Sequence, residues 1–384
     1  IIPLSKQRTA LRPIHDLSAI GNRHVVGNFV DDAKVVRNKD DGKLSFFLEF
    51  IDEFQEFFKV NKSVYSDMQR IWDKYHTMAH LNLIVCGSIY SMMTKIFKDR
   101  KEPLYNRQTR FMSIKPFTTV VLKEILAEYN PDYTPEDLLA LYSFTGGVAK
   151  YVQLLIDAGA TTKAKMLNQI IKSDSIFLGE GKAILIEEFG KDYGIYFSIL
   201  SAIARGKTSR SEIENIVGKE IGGYLTKLEN EYDVISKKQP IFEKSSTKNV
   251  RYTIEDNFFT FWFRFIYKYN YMLEIENYDA VKTIINRDYE TFSGLMLERY
   301  FKRVLIESKK YTRIGSWWNR KGENEIDIVA ENELDQQALF IEVKRKIENY
   351  DPELLNSKIA AFTRATGEFK NHAVTQKGVS LEDM

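Results

Sequence analysis

Near the C-terminal end, Glu325-Ile326-Asp327-Ile328-Val329 is followed, after an acidic turn, by Phe340-Ile341-Glu342-Val343-Lys344. Strand side chains alternate between faces, so Glu342 and Lys344 point one way and Val343 the other. A hairpin joining the two runs brings Asp327 to the same edge. Two carboxylates so placed can hold a divalent cation. A neighbouring lysine can then position a water or offset the charge of a phosphate under attack. A solvated hairpin whose charges merely face water is the plainer reading of the same residues.

A third carboxylate needs an element to carry it. Leu295 to Ile306 reads as a helix whose apolar face is built from Leu295, Leu297, Tyr300, Phe301, Val304 and Leu305. Glu298 lies within it and is the candidate; a surface pair with Lys302, four residues on, is the alternative. The order helix-Glu, strand-Asp, strand Glu-x-Lys resembles the PD-(D/E)XK nuclease-like core. With Gly315-Ser316-Trp317-Trp318-Asn319-Arg320 leading into it, the region resembles the C-terminal domain of a family of archaeal and bacterial P-loop ATPases. That resemblance implies a nuclease-like site of Glu298, Asp327, Glu342 and Lys344, with Asp327 and Glu342 as metal ligands. Shape of this kind does not by itself imply activity.

The resemblance continues upstream. Phe46-Phe47-Leu48-Glu49-Phe50-Ile51-Asp52-Glu53-Phe54-Gln55 is similar to the Walker B strand of this family, a branch of the AAA+/STAND-type proteins. It implies that Asp52 holds the magnesium of ATP and that Glu53 orients the hydrolytic water. Leu83-Ile84-Val85-Cys86-Gly87-Ser88 is similar to the strand that ends in the family's sensor, here Ser88. Pro103-Leu104-Tyr105-Asn106-Arg107 resembles the family's Pro-Leu-Tyr-Gly-Arg, whose arginine, here Arg107, is expected on phosphate charge. Asn106 replaces the glycine, which is tolerable because Asn also reaches left-handed backbone. Ile114-Lys115-Pro116-Phe117 and Thr145-Gly146-Gly147-Val148-Ala149-Lys150-Tyr151 complete the series.

The phosphate cradle itself is missing. No Gly-x-x-x-x-Gly-Lys-Ser/Thr occurs; Gly21 to Gly27 has the wrong spacing, and Gly42-Lys43-Leu44-Ser45 lacks the preceding glycine and the following helix. The expectation is that segments of the ATPase core are absent from this sequence; a degenerate core that binds no nucleotide is the alternative.

Between the ends, Thr118 to Glu188 is helical in pattern, with breaks at Pro131, Pro135 and Gly146-Gly147, where the family places a lid. Tyr193 to Ile254 reads as three short helices and a hairpin, a winged helix. Lys237, Lys238, Lys244, Lys248 and Arg251 make its wing basic enough to lie along a DNA backbone. Glu220, Glu229 and Glu231 on or beside its third helix argue against groove reading. The aromatic run Phe258 to Tyr267 is expected to be core rather than a base-stacking platform. His76 and His80 have metal-ligand spacing but no third ligand, and Cys86 has no partner that would mark a nucleophile.

Composition bounds the rest. The 384 residues include 44% hydrophobic and 13% aromatic side chains, which supports sizeable cores. A net charge of +2 means any nucleic-acid surface must be local. A single cysteine excludes a disulfide framework and suits a reducing compartment, so a cytoplasmic location is expected. No apolar run has the length of a membrane span.

The expected fold class is α/β. Residues 1–117 form a P-loop ATPase core, incomplete in its N-terminal part, and 118–190 a helical lid. Residues 191–257 form a winged helix, and 258–384 a linker helix with a PD-(D/E)XK-like α/β domain. ATP and Mg2+ are the implied cofactors and DNA the implied partner, with partner proteins and self-assembly left open. The expected function couples nucleotide state to an event on DNA. A nucleotide-dependent signalling or scaffold switch and a non-enzymatic DNA-binding regulator are the alternatives.

Overall fold

The computed structural model describes residues 47–384, apart from 79, 80, 88, 245 and 246. Ser88, His80 and the glycine-containing stretches weighed as phosphate loops lie outside the described residues. The chain is a mixed α/β protein that divides into two compact units, Ile1–Phe111 and Met112–Met384.

In the first unit, β1 (Phe47–Ile51) and β2 (Leu81–Val85) pair in parallel, with Ile51 opposite Val85. Parallel strands need a crossover, and α1 (Val64–Tyr75) lies within it. The helix α2 (Tyr90–Lys98) follows β2. Ile51, Phe54, Tyr65, Ile96, Phe97 and Leu104 form the buried core, and the Tyr65 hydroxyl donates to the Phe54 carbonyl at 2.9 Å. This packing fixes the turn after β1, where Asp52 and Glu53 stand.

The second unit opens with α3 (Thr119–Tyr129), α4 (Pro135–Thr145), α5 (Ala149–Asp157), α6 (Lys163–Ile170) and α7 (Ile176–Phe189). Thr134 and Asp137 make a capping box at the start of α4, Pro135 sits in its first turn, and Gly146 ends it at φ 61°. Next come α8 (Tyr193–Ala204), α9 (Arg210–Val217) and α10 (Gly222–Asn230), then the antiparallel pair β3 (Ile235–Lys238) and β4 (Arg251–Ile254). Ser209 caps α9 through a reciprocal box with Glu212. These elements follow the order read from the sequence.

The aromatic run is buried, as expected of core. Phe258, Phe261, Trp262, Phe263, Phe265 and Ile266 are at most 2% exposed. The Trp262 indole donates to the Leu178 carbonyl at 3.1 Å, which fixes its ring over Gly181 of α7. A Cβ at Gly181 would fall 2.5 Å from that ring. Gly181→Ala is therefore expected to destabilise the second unit by roughly 1–3 kcal/mol, against the small gain that alanine brings to an open helix. Urea unfolding at matched protein concentration measures this, and an unchanged midpoint would refute the packing argument.

The unit ends with α11 (Tyr278–Ser308), β5 (Arg313–Trp318), β6 (Glu325–Asn332), β7 (Gln337–Val343), α12 (Pro352–Thr366) and β8 (Ala373–Val379). The sheet order is β5-β6-β7-β8; β5 pairs with β6 and β6 with β7 in antiparallel, and β8 runs parallel to β7 after the α12 crossover. Ile328 pairs with Ile341 and Val329 with Phe340. Ile328, Ile341 and Val343 join the core that contains α11, whereas Val329 and Phe340 join Leu355 and Phe362 of α12. The sheet is thus covered on both faces, and Glu342 belongs to the α12 side.

Candidate functional site

Glu342 and Lys344 share one side of the β7 strand end, as alternation requires, and Val343 packs on the other. The Lys344 ammonium donates to Glu342 Oε1 at 2.8 Å. A second lysine holds the same carboxylate: Lys358 of α12 donates to Oε1 at 2.9 Å and to Oε2 at 3.0 Å. Asp327, on the neighbouring strand, accepts from the Val343 backbone N–H at 2.7 Å through Oδ2. Two carboxyl groups and two ammonium groups therefore meet where β6 begins and β7 ends, and Glu298 of α11 lies near enough for the charge of Asp327 to act on it.

The carboxyl groups feel one another. Burial, followed by the charge of Glu342, pushes Asp327 up to about 6, against the lowering effect of the Val343 N–H. Burial, then Asp327 and Glu325, pushes Glu298 up to about 8. Burial alone would depress Lys344, but its hydrogen bond to Glu342 and the charges of Glu342, Asp327 and Glu298 carry it above the usual lysine value. Lys344 is accordingly a fixed positive charge at neutral pH, suited to steadying an anion rather than to taking up a proton. No ion pair joins Glu298 to Lys302 among the described residues; Lys302 instead donates to the Ser316 hydroxyl at 3.5 Å.

Oxygen donors of this kind suit a hard divalent cation such as Mg2+. The raised carboxyls are what burial, then clustered like charges, produce without one. Among the described residues no group of three His, Cys, Asp or Glu side chains stands close enough to enclose a metal ion. Lys344 and Lys358 hold the Glu342 oxygens that a cation would need. The donor chemistry fits, with the lysines in competition for it.

Sequence reading missed Lys358 and Arg345. Lys358 follows Leu355 by three residues and precedes Phe362 by four, so a lysine falls on the apolar stripe of α12; that interruption was the available signal. Arg345 donates to Glu136 of α4 at 2.6 Å and also reaches the Ser293 hydroxyl of α11. It ties the residue after Lys344 to the helical region at the start of the second unit. No sequence spacing announces that contact, because 209 positions separate the partners.

Two of the five basic residues of the hairpin are engaged within the molecule. Arg251 makes a two-pronged pair with Glu325 at 2.6 and 3.1 Å and lies 4.4 Å from the Trp318 ring centre. Lys238 pairs with Glu255 at 2.8 Å. The Ile241 N–H donates to the Ser316 carbonyl of β5, so the segment between β3 and β4 is tied to the outer strand of the sheet. Lys237, Lys244 and Lys248 remain exposed.

In the first unit, Asp52 and Glu53 are exposed at the carboxyl end of β1, the end at which parallel α/β sheets bind ligands. Asp52 Oδ1 accepts from the Glu53 N–H at 2.9 Å and from the Cys86 thiol at 3.1 Å. That hydrogen bond, then burial, raises the Cys86 thiol to about 11, so it is no nucleophile near neutrality. Glu53 is left-handed at φ 46°, and Asn106 at φ 56° takes up the left-handed backbone that asparagine tolerates. Arg107 is bound two-pronged to Asp73 of α1, both contacts at 2.8 Å, and caps the Pro103 and Tyr105 carbonyls. Its guanidinium thus anchors this unit's own fold. Among the described residues no helix is long and apolar enough to cross a membrane.

A family model described as archaeal and bacterial proteins of unknown function matches residues 262–353. That span takes in Glu298, Asp327, Glu342 and Lys344 and stops before Lys358. An uncharacterised protein of Methanocaldococcus jannaschii is 34% identical over 310 residues, covering 77% of this chain and 67% of that protein. With such identity over two thirds of the relative, the chain belongs to this family of archaeal and bacterial proteins of unknown function.

Proposed function

We propose that the protein is an ATP-dependent, Mg2+-requiring enzyme whose C-terminal PD-(D/E)XK-like domain cleaves DNA, with a winged helix and helical lid between ATPase core and nuclease. The observation that carries this reading is Lys344 bound to Glu342 at the end of β7 beside Asp327 of β6, with Glu298 of α11 near enough to feel the charge of Asp327.

Asp327 and Glu342 would hold the cation, which when bound supplies Lewis acidity at the phosphate. Lys344, an ammonium across the neutral range, stabilises negative charge that develops on the phosphate oxygens. Glu298 keeps its proton near pH 7 in the metal-free site and can donate a hydrogen bond there. Val343 fixes the Asp327 carboxylate through its N–H, so the donors are oriented before substrate arrives. In the first unit Asp52 would hold the magnesium of ATP and Glu53 orient water, at the strand end where both are exposed. Ser88 is the sensor in this proposal. Arg107 would have to leave Asp73 to reach a phosphate, so its contribution here is structural.

One observation favours a second reading, a nucleotide-dependent scaffold switch whose nuclease-like domain only binds a partner. Lys344 and Lys358 together satisfy Glu342 with protein charge alone. Plasmid and single-stranded DNA incubated with the full chain in Mg2+ or Mn2+, with and without ATP, separate the two. Cleavage is expected in metal and is expected to vanish in EDTA and in Lys344→Ala. ATP turnover without cleavage in either metal would establish the switch instead.

A further inference from the structure

A cavity of about 660 Å3 opens between α8–α9, β4, α11 and the β5–β6 turn. Its walls include Arg251, Arg299, Arg320 and Lys321 against one acidic side chain, Glu212. Glu212 is committed to the α9 cap: it accepts from the Ser209 N–H and hydroxyl, and Lys207 lies 3.5 Å away. Arg251 is neutralised by Glu325. Arg299 has no such partner among the described residues. It follows Glu298 on α11 and bonds only through Nη1, to Asn257 Oδ1 at 3.0 Å and Thr260 Oγ1 at 3.3 Å, with no ion pair among the described residues. Glu255, Asp256 and Glu298 all favour its charge, but none pairs with it. Glu255 pairs with Lys238 and accepts from Thr253, and Asp256 caps the Phe259 N–H.

A partly buried guanidinium that no carboxylate pairs with directly gains from an anion that completes it. Arg320 and Lys321, exposed on the turn at the cavity mouth, make no ion pair among the described residues and add attraction from outside. The volume suits a single nucleotide, being within the usual range of ligand pockets of about 300–1,000 Å3. Thr253, Asn249 and Asn319 supply neutral polar groups, and Trp318 an aromatic wall.

We propose that this cavity binds a phosphate ester of nucleotide size, namely one nucleotide of a DNA strand, whose neighbouring phosphate then lies toward the carboxylate site through the adjacent Glu298. This rests on the nuclease reading for the identity of the strand, but not for the cavity's taste for phosphate.

The test is anisotropy of a 3′-labelled, 5′-phosphorylated single-stranded DNA with the full chain in EDTA, so that binding is read without cleavage. Arg299→Met and the surface double variant Arg320→Ala/Lys321→Ala are each expected to weaken binding about tenfold. In the double variant, whose turn position leaves the fold intact, the slope of log affinity against log salt should become shallower by about 1 for each lost phosphate contact. AMP is the competing arm. Displacement by AMP at concentrations near its own affinity would assign the cavity to free nucleotide and uphold the phosphate site. An inert AMP with strand binding intact would assign it to the strand. Wild-type affinity in both variants, or no binding of either probe, overturns the proposal. Strand binding without cleavage in any metal would refute the nuclease reading and leave this site standing; cleavage with unaltered binding in the variants would do the reverse.

Discussion

Glu298→Gln is expected to stabilise the protein at pH 9 by roughly 2–4 kcal/mol and to leave it almost unchanged at pH 4.5, one pK unit being about 1.4 kcal/mol. The sign follows from proton counting. Glu298 has an ordinary value of 4.5 when unfolded and about 8 when folded. Between those values the native state keeps a proton that the unfolded state releases, so stability falls as pH rises across that window. Asp327, raised from 3.8 to about 6, contributes with the same sign over a lower window. Glutamine cannot ionise and fills the same space, so the Glu298 component disappears and only the Asp327 component remains. Urea unfolding of both proteins from pH 4.5 to 9 in EDTA gives the two curves. If they run parallel, the burial and charge coupling attributed to Glu298 is wrong. Mg2+ should narrow the difference at pH 9, because a ligand that binds only the native state stabilises it by about 2.7 kcal/mol at one hundred times its dissociation constant.

The strands were legible because the chemistry interrupts an apolar pattern. Ile326, Ile328 and Val329 bracket Asp327, and Ile341 and Val343 bracket Glu342, so a charged residue inside each run had to face a polar edge. The same logic, applied to α12, would have yielded Lys358, whose side chain is only 14% exposed. Helix ends were readable wherever a cap was chemical: Ser209 with Glu212, Thr134 with Asp137, and Gly146 at positive φ all match local rules. What stayed hidden were pairings across the fold. A basic hairpin looks the same in sequence whether its arginine meets phosphate or Glu325, because 74 residues separate the partners. Arg107 is a similar case: the Pro-Leu-Tyr-Asn-Arg motif identifies the residue, but only packing reveals that Asp73 already holds it. Local rules carry spacing and facing. They carry no information about which distant charge arrives first.

The last expected result separates ligand from clamp at Glu342. Glu342→Ala should lower metal-dependent cleavage at least about a hundredfold, the scale at which removal of a single electrostatic contributor is felt in enzymes. It should also destabilise the fold, because it leaves two ammonium groups that now share one carboxylate facing each other with nothing between them. Removing one partner of a buried pair costs about 3–5 kcal/mol. The figure here should sit near or below the lower end, since Lys344 is 35% exposed and can turn toward water while Lys358 cannot. Adding Lys358→Met to Glu342→Ala removes the stranded charge and replaces it with an apolar chain facing Leu355 and Phe362. Most of the lost stability should return, with a coupling of about 1–3 kcal/mol between the two sites. Cleavage should not return, because methionine restores packing and supplies no oxygen. Unfolding and cleavage measured on the four proteins of this cycle decide the matter. Recovery of stability and activity together would make Glu342 a structural counter-ion only and remove it from the proposed metal site.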